Sequence, residues 1–248
     1  MSGSKIMPSD ALSELASGGT LRAAVNMANT LLVTGATPAG DPDGVAPDMA
    51  RAIADRLGVA VSFVPFATPG ELADAVDGDV WDIGMIGAEP ARAEHIAFSA
   101  AYVEIEATYL VPAGSPFASV EDVDCDGVRI AVSGRSAYDL FLSRSLEHAE
   151  LFRGQSVSGA AELFVRDGLD ALAGLRPALA VEAEKLPGSR VVDGCFTTIQ
   201  QAIGTRRGNE AAAAFLADFV EEAKASGLVG RLIKRHGVTG RLSVAPPA

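Results

Sequence analysis

WDIGMIGAEPARAEHIAFSAAY, residues 81–102, decides how the rest of this chain is read. A short apolar run, Ile83 to Ile86, ends in Gly87; Arg92 follows, and a second extended segment begins near Ile96. An apolar run of this length closed by glycine predicts a buried strand. Arg92 then sits on a loop at the strand's end, where open α/β sheets bind ligands. Its flanks are apolar, and only Glu89 and Glu94 stand nearby as acids. The pattern points to an arginine that reads an anion.

Working outward, Leu21–Val25 predicts a strand, and Asn26, Met27, Ala28, Asn29 and Thr30 form a polar turn at ligand height, closed by Leu31–Val33. The stretch GATPAGDPDG, residues 35–44, is all turn chemistry and reads as an exposed loop. Met49, Ile53 and Leu57 fall four apart, predicting an amphipathic helix over Ala46–Leu57 that Gly58 ends. Val59–Phe66 alternates as a strand, Pro69–Val76 makes a short helix, and Trp81–Ile86 is the next strand. This β-α-β-α-β order predicts an α/β fold with a mainly parallel sheet.

After Tyr102 the pattern restarts. Strands are expected at Ala107–Val111, Val128–Val132, Leu169–Ala173, Arg190–Val192 and Thr197–Ile203, and helices at Ala137–Leu146, Ala160–Arg166 and Ala178–Leu186. Two final helices, Glu210–Ala225 and Leu228–His236, have nowhere to pack except on the first unit. The chain therefore crosses between two units twice. The expected first lobe is residues 1–103 plus 200–248, the second is 104–199, and a ligand cleft lies between them.

Bulk properties narrow the functions. A chain of 248 residues, 48% hydrophobic and 21% charged, is an ordinary globular protein. A formal net charge of −12 argues against nucleic-acid or anionic-membrane partners, though a local pocket can still be positive. No segment approaches the roughly 20 apolar residues of a membrane span. The opening MSGSKIMPSDALSELASGGT lacks the basic-then-apolar plan of a secretory signal. As written the chain is read as a cytoplasmic monomer, and as periplasmic if a signal sequence has been removed. Cys125 and Cys195 form no CxxC pair, so no zinc site and no disulfide framework is expected; one disulfide between them stays open.

The second unit contains IAVSGRSAYDLFLSR, residues 130–144. A strand ends at Ser133, Gly134 allows a tight turn, and Ser136 is placed to cap a helix whose first N–H groups suit an anion. An N-cap without a ligand fits the same residues. Tyr138 stands where a nucleophile elbow needs glycine, which removes a serine-hydrolase reading. The acidic run Glu121, Asp122, Asp124 and Asp126 lacks the calcium-loop pattern and reads as a solvated turn. Of Gln200 and Gln201, alternation turns one inward as a hydrogen-bonding candidate. Arg176, after the apolar run ALAGL, is a second possible anion contact or a surface arginine at a helix start.

With these segments in hand, the chain resembles the family 3 extracellular solute-binding proteins, the polar amino-acid type of periplasmic binding protein. GVAPDMARAIADRLGV, RAEHIAFSAAY, GVRIAVSGRSAYDLFL and FVEEAKASGLVGRLIKRHG carry the resemblance, over Leu21 to Val238. It implies a two-lobed type II fold, with two mixed sheets, helices on both faces, and a hinge of two crossing strands that closes on a small solute. It implies that Arg92 holds a ligand carboxylate in a bidentate manner and that Ser136 reads the same group. Asn26, Asn29, Gly87, Arg135, Tyr138, Arg176 and Gln201 complete the expected ligand-binding set. The implied partners are a small anionic metabolite and an ABC permease, with no cofactor and no metal.

Two departures from the family pattern stand out. The residue after the second-lobe DA strand, usually an acid for the ligand ammonium, aligns with Leu175. The link AEPA before Arg92 is about two residues short and poor in hydroxyls. The expected ligand is an amino acid or related organic acid. The alternatives are a cyclohexadienyl-dehydratase-like enzyme and a cytoplasmic ligand sensor.

Overall fold

The computed structural model describes residues 9–248. In chain order these form α1 (Ser9–Ala16), β1 (Thr20–Asn26), β2 (Gly35–Ala36), β3 (Pro42–Asp43), α2 (Val45–Leu57), β4 (Ala60–Phe66), α3 (Pro69–Asp74), β5 (Ile83–Gly87), β6 (Ile96–Phe98) and β7 (Val103–Val111). Then come β8 (Arg129–Ser133), α4 (Ala137–Ser145), β9 (Glu150–Gly154), α5 (Val157–Arg166), β10 (Ala171–Leu175) and α6 (Arg176–Lys185). The chain ends with β11 (Arg190–Val191), β12 (Thr197–Arg206), α7 (Glu210–Ala225), α8 (Leu228–Arg235) and β13 (Ser243–Val244). It divides into two compact units, the first up to Glu104 together with Gln200–Ala248, the second Ile105–Ile199. Strands β7 and β12 each span a boundary between them. No described helix is long and apolar enough to cross a membrane.

In the first unit β1 runs parallel to both β4 and β5, and β12 runs antiparallel to β5 and to β6. The sheet is therefore mixed, because the returning strand β12 enters it from the opposite end. Ala24 and Ile86 face α3, where Leu72, Val76 and Trp81 bury around them. Alternation sends Leu21, Ala23, Val25, Ile83 and Met85 to the other face, on which α2 packs with Met49 and Ile53 fully buried. Gly58 ends α2 at φ 71, its N–H bonded to the carbonyls of Ala54 and Asp55. Thr68 and Glu71 close a capping box on α3 behind Pro69.

The second unit repeats the plan. Strands β9, β8 and β10 are parallel, and β7 is antiparallel to β10. Ile130, Val132, Ala171, Ala173, Tyr109 and Val111 face α4. The alternating Ala131, Leu172 and Leu110 face α5 and α6, under Phe164 and Leu179. Helix α7 packs against α1 and β6, and α8 packs against α2 and α7.

Several elements differ from the sequence expectation. Residues 35–44 are not all loop: Gly35 pairs with Asp43 and Ala36 with Pro42 in a short hairpin. α1 forms because Ala11, Leu15 and Ala16 share a face buried against α7 and β1. β9 is a strand in a stretch whose residues are only half covered, and its pairing with β8 makes it one.

Candidate functional site

In the first unit, the parallel order puts the C-terminal ends of β1, β4 and β5 on one edge of the sheet. The Asn26–Thr30 turn and the loop after Gly87 both emerge there, and Gln201 lies opposite Gly87 in the β12 register. Asn26, Asn29, Gly87, Arg92 and Gln201 are thus gathered at one end of one sheet. The turn is built by its own asparagines. Asn26 Oδ1 accepts the Ala28 N–H at 3.1 Å, and Asn29 Oδ1 accepts that of Leu31 at 3.2 Å. Those oxygens serve the backbone, so the amide N–H groups are the ones suited to facing a ligand.

Arg92 is buried, 6% exposed. Its backbone N–H donates to the Glu89 carbonyl at 3.0 Å, folding the AEPA link into a tight turn. Its Nη1 then reaches back to donate to the Gly87 carbonyl at 2.6 Å. The short link thereby orients the guanidinium from both ends. Glu89 and Gln201 are buried beside this edge as well, at 7% and 5% exposure. Glu94, the other acid close to Arg92 in sequence, is exposed.

In the second unit, β8, β9 and β10 end on one edge in the same way. The turn after β8 holds Ser133, Gly134, Arg135 and Ser136. Ser136 caps α4, its Oγ accepting the Asp139 N–H at 3.1 Å. Arg135 sits in the left-handed region at φ 61, a conformation that costs a non-glycine residue on the order of 1 kcal/mol. Two backbone donors hold it: Ser136 N–H to the Ser133 carbonyl at 3.2 Å, and Gly134 N–H to the Gly154 carbonyl at 2.8 Å. The Tyr138 phenol is buried and hydrogen-bonds Ser136 and Ser133; burial pushes its pKa up, and the two serines pull it part of the way back. Ser136, Arg135 and Tyr138 are therefore brought together.

Arg176 is engaged otherwise. Its Nε meets Glu106 Oε2 at 2.5 Å, Nη1 donates to the Val192 carbonyl at 3.4 Å, and Nη2 donates to the Gly194 carbonyl. This arginine braces the β11–β12 connection against β7. Leu175, which precedes it, packs on the α4-side core.

Sequence reasoning passed over Asp139 and Arg153. The Asp139 carboxylate, 3% exposed, accepts the Arg135 N–H at 2.7 Å and Arg153 Nε at 2.9 Å. The Ser136-x-x-Asp139 spacing is a capping signal that could have found the first. Arg153 lies on β9, which the sequence did not reveal.

Elsewhere, Asp124 accepts the N–H groups of Glu147, His148 and Ala149, each at 2.9 Å, so the acidic run is spent on turns. Both cysteines are free and exposed. Asp43, Asp48 and His236 bring ligand-type atoms within 4.8 Å of one another. Arg51 Nη1 lies 2.9 Å from Asp48 Oδ1, and Arg235 Nη1 lies 3.2 Å from Oδ2. Those cations already supply the positive charge, and the group does not suit a metal.

With this geometry in place, the sequence profile of the bacterial extracellular solute-binding proteins, family 3, matches residues 24–239. The chain belongs to that family. Comparison with curated proteins finds no sequence match. Among solved structures, the solute receptor for L-cysteine of Neisseria gonorrhoeae is 18% identical, with a TM-score of 0.77 over 96% of this chain and 99% of that one. A mutant of the arginine-binding protein of T. maritima is 22% identical, with a TM-score of 0.74 over 92% and 99%. An ancestral amino-acid-binding protein, described as a precursor of cyclohexadienyl dehydratase, is 24% identical, with a TM-score of 0.72 over 90% and 98%. The fold is the two-lobed, type II periplasmic-binding-protein fold that these structures share.

Proposed function

We propose that the protein is a non-catalytic solute-binding protein for a small carboxylate-bearing metabolite, an amino acid or related organic acid, and that it serves an ABC importer outside the cytoplasmic membrane. The observation that carries the reading is Arg92: a buried guanidinium at the C-terminal edge of a parallel sheet, oriented by the Gly87 carbonyl at 2.6 Å. In this reading Arg92 is the carboxylate reader of the first lobe. The Ser136 hydroxyl and the first amides of α4 form the half-site of the second, where a helix start favours an anion. Asn26, Asn29, Gln201 and Tyr138 read the rest of the ligand. At Leu175 the family's usual acid for a ligand ammonium is replaced by a side chain that packs on the α4-side core. This position offers such a charge no partner, and a ligand without an α-ammonium group is favoured by several kcal/mol, on the order of a broken buried ion pair.

A thermal-shift screen of amino acids, mono- and dicarboxylates and polyols tests this. A true ligand at about a hundred times its Kd stabilises by roughly 2.7 kcal/mol. Arg92→Ala is expected to weaken calorimetric affinity for that ligand by about a hundredfold, the equivalent of a charged, bidentate contact. Its melting temperature is expected to fall by only a few degrees. Unchanged affinity in Arg92→Ala would overturn the carboxylate assignment, and turnover of prephenate or arogenate by the pure protein would overturn the non-catalytic one.

A further inference from the structure

The second-lobe turn is held by a side chain that has no place in the ligand set. Arg135 occupies the left-handed region, and its N–H donates not to a backbone carbonyl but to Asp139 Oδ2 at 2.7 Å. The same carboxylate takes Arg153 Nε on Oδ1 at 2.9 Å, and Arg153 Nη2 donates to Ser143 Oγ at 2.8 Å. Ser143 Oγ in turn donates to the Asp139 carbonyl at 2.7 Å. A buried carboxylate at the start of α4 would by itself repel an anion arriving at that helix end. The Arg153 guanidinium offsets its charge from the β9 side while holding it in line with the Arg135 amide.

We infer that Asp139 and Arg153 are positioning residues for the second-lobe half-site. Arg153 fixes the carboxylate, and the carboxylate fixes the left-handed turn that presents Ser136 and the α4 amides. The inference rests on the reading of that turn as a ligand half-site, but its first test needs no ligand. Arg153 is half exposed at the end of a strand, so Arg153→Gln is expected to fold.

Amide hydrogen exchange is measured in the parent, Arg153→Gln, Arg153→Lys and Asp139→Asn. The expected result is exchange at Arg135 and Ser136 at least tenfold faster in Arg153→Gln, with β10 and the first unit unchanged. Asp139→Asn should move the same amides, and Arg153→Lys should restore part of the protection. Parent-level protection in Arg153→Gln and Asp139→Asn would overturn the inference, as would faster exchange spread evenly over the second unit. In the second arm L-arginine, L-cysteine, L-glutamine and succinate are titrated calorimetrically. Any that binds the parent should bind Arg153→Gln about tenfold more weakly and Arg153→Lys within threefold. Equal affinity for Arg153→Gln would overturn the inference. Failure of the parent to bind any of the four counts against the proposed function, while the exchange result still decides the positioning role.

Discussion

Replacing Asp48 should destabilise the first unit, and its cost should depend on pH. Asp48 is 8% exposed. Its Oδ1 accepts Arg51 Nη1 at 2.9 Å, and its Oδ2 lies 2.8 Å from His236 Nε2 and 3.2 Å from Arg235 Nη1. Arg235 is 68% exposed at its side chain and contributes little. Arg51 also bonds the Pro42 carbonyl, so one carboxylate ties α2 to the β2–β3 hairpin and to the end of α8. Burial raises the Asp48 pKa, but the hydrogen bonds from His236 and Arg51 and the charge of Arg235 outweigh it and hold the carboxyl below its ordinary range.

Asp48→Ala breaks a mostly buried ion cluster, a loss of about 3 kcal/mol. That corresponds to roughly 6–12 °C in melting temperature for a chain of this size. A group with a depressed folded pKa stabilises above its unfolded value, about 3.9, and loses that share as pH falls through the folded value. The gap between parent and Asp48→Asn should therefore be full above the ordinary carboxylate range and shrink as pH falls through the depressed folded value. Circular-dichroism melts of both proteins from pH 7 to pH 2.5 measure it. A gap that stays constant over that range would refute the argument that the charge, rather than side-chain shape, holds the clamp.

Gly154→Ala should be severe, because an added Cβ would stand 2.3 Å from the Ala160 nitrogen at the start of α5. An overpacking cost of about 3 kcal/mol is expected in the melt, together with weakened binding, since the Gly154 carbonyl holds Gly134 at 2.8 Å. Both cysteines should titrate with a thiol reagent in the native protein after reduction and removal of the reductant, as their exposure requires; fewer than two reactive thiols would contradict the structure.

Much of this molecule is legible in its residues because the informative signals are local. The run Ile83–Gly87 and the spacing of Met49, Ile53 and Leu57 each report their own burial, and Arg92 is located by the strand before it. Ser136 is visible as a cap, since capping is decided within three residues. What was missed depends on partners distant in sequence. β9, with Glu150 and Arg153 exposed, is a strand only because β8 offers it a parallel edge. Arg153 could not be connected to Asp139 until that strand was known. Arg176 reads equally as an anion contact or as a surface residue. Glu106, 70 positions earlier in the chain, is what engages it.

The order in which the chain divides bears on how it is made. The second unit, Ile105–Ile199, is continuous, so all of its strands are present once Ile199 has left the ribosome. The first unit is not: its sheet lacks β12, the strand beside β5, until the final segment from Gln200 onward emerges. Domains tend to fold as units during synthesis, so the half of the molecule that begins the chain is the half that finishes last. A nascent chain arrested just after Ile199 has left the ribosome would carry a complete second unit behind a first one still waiting for β12.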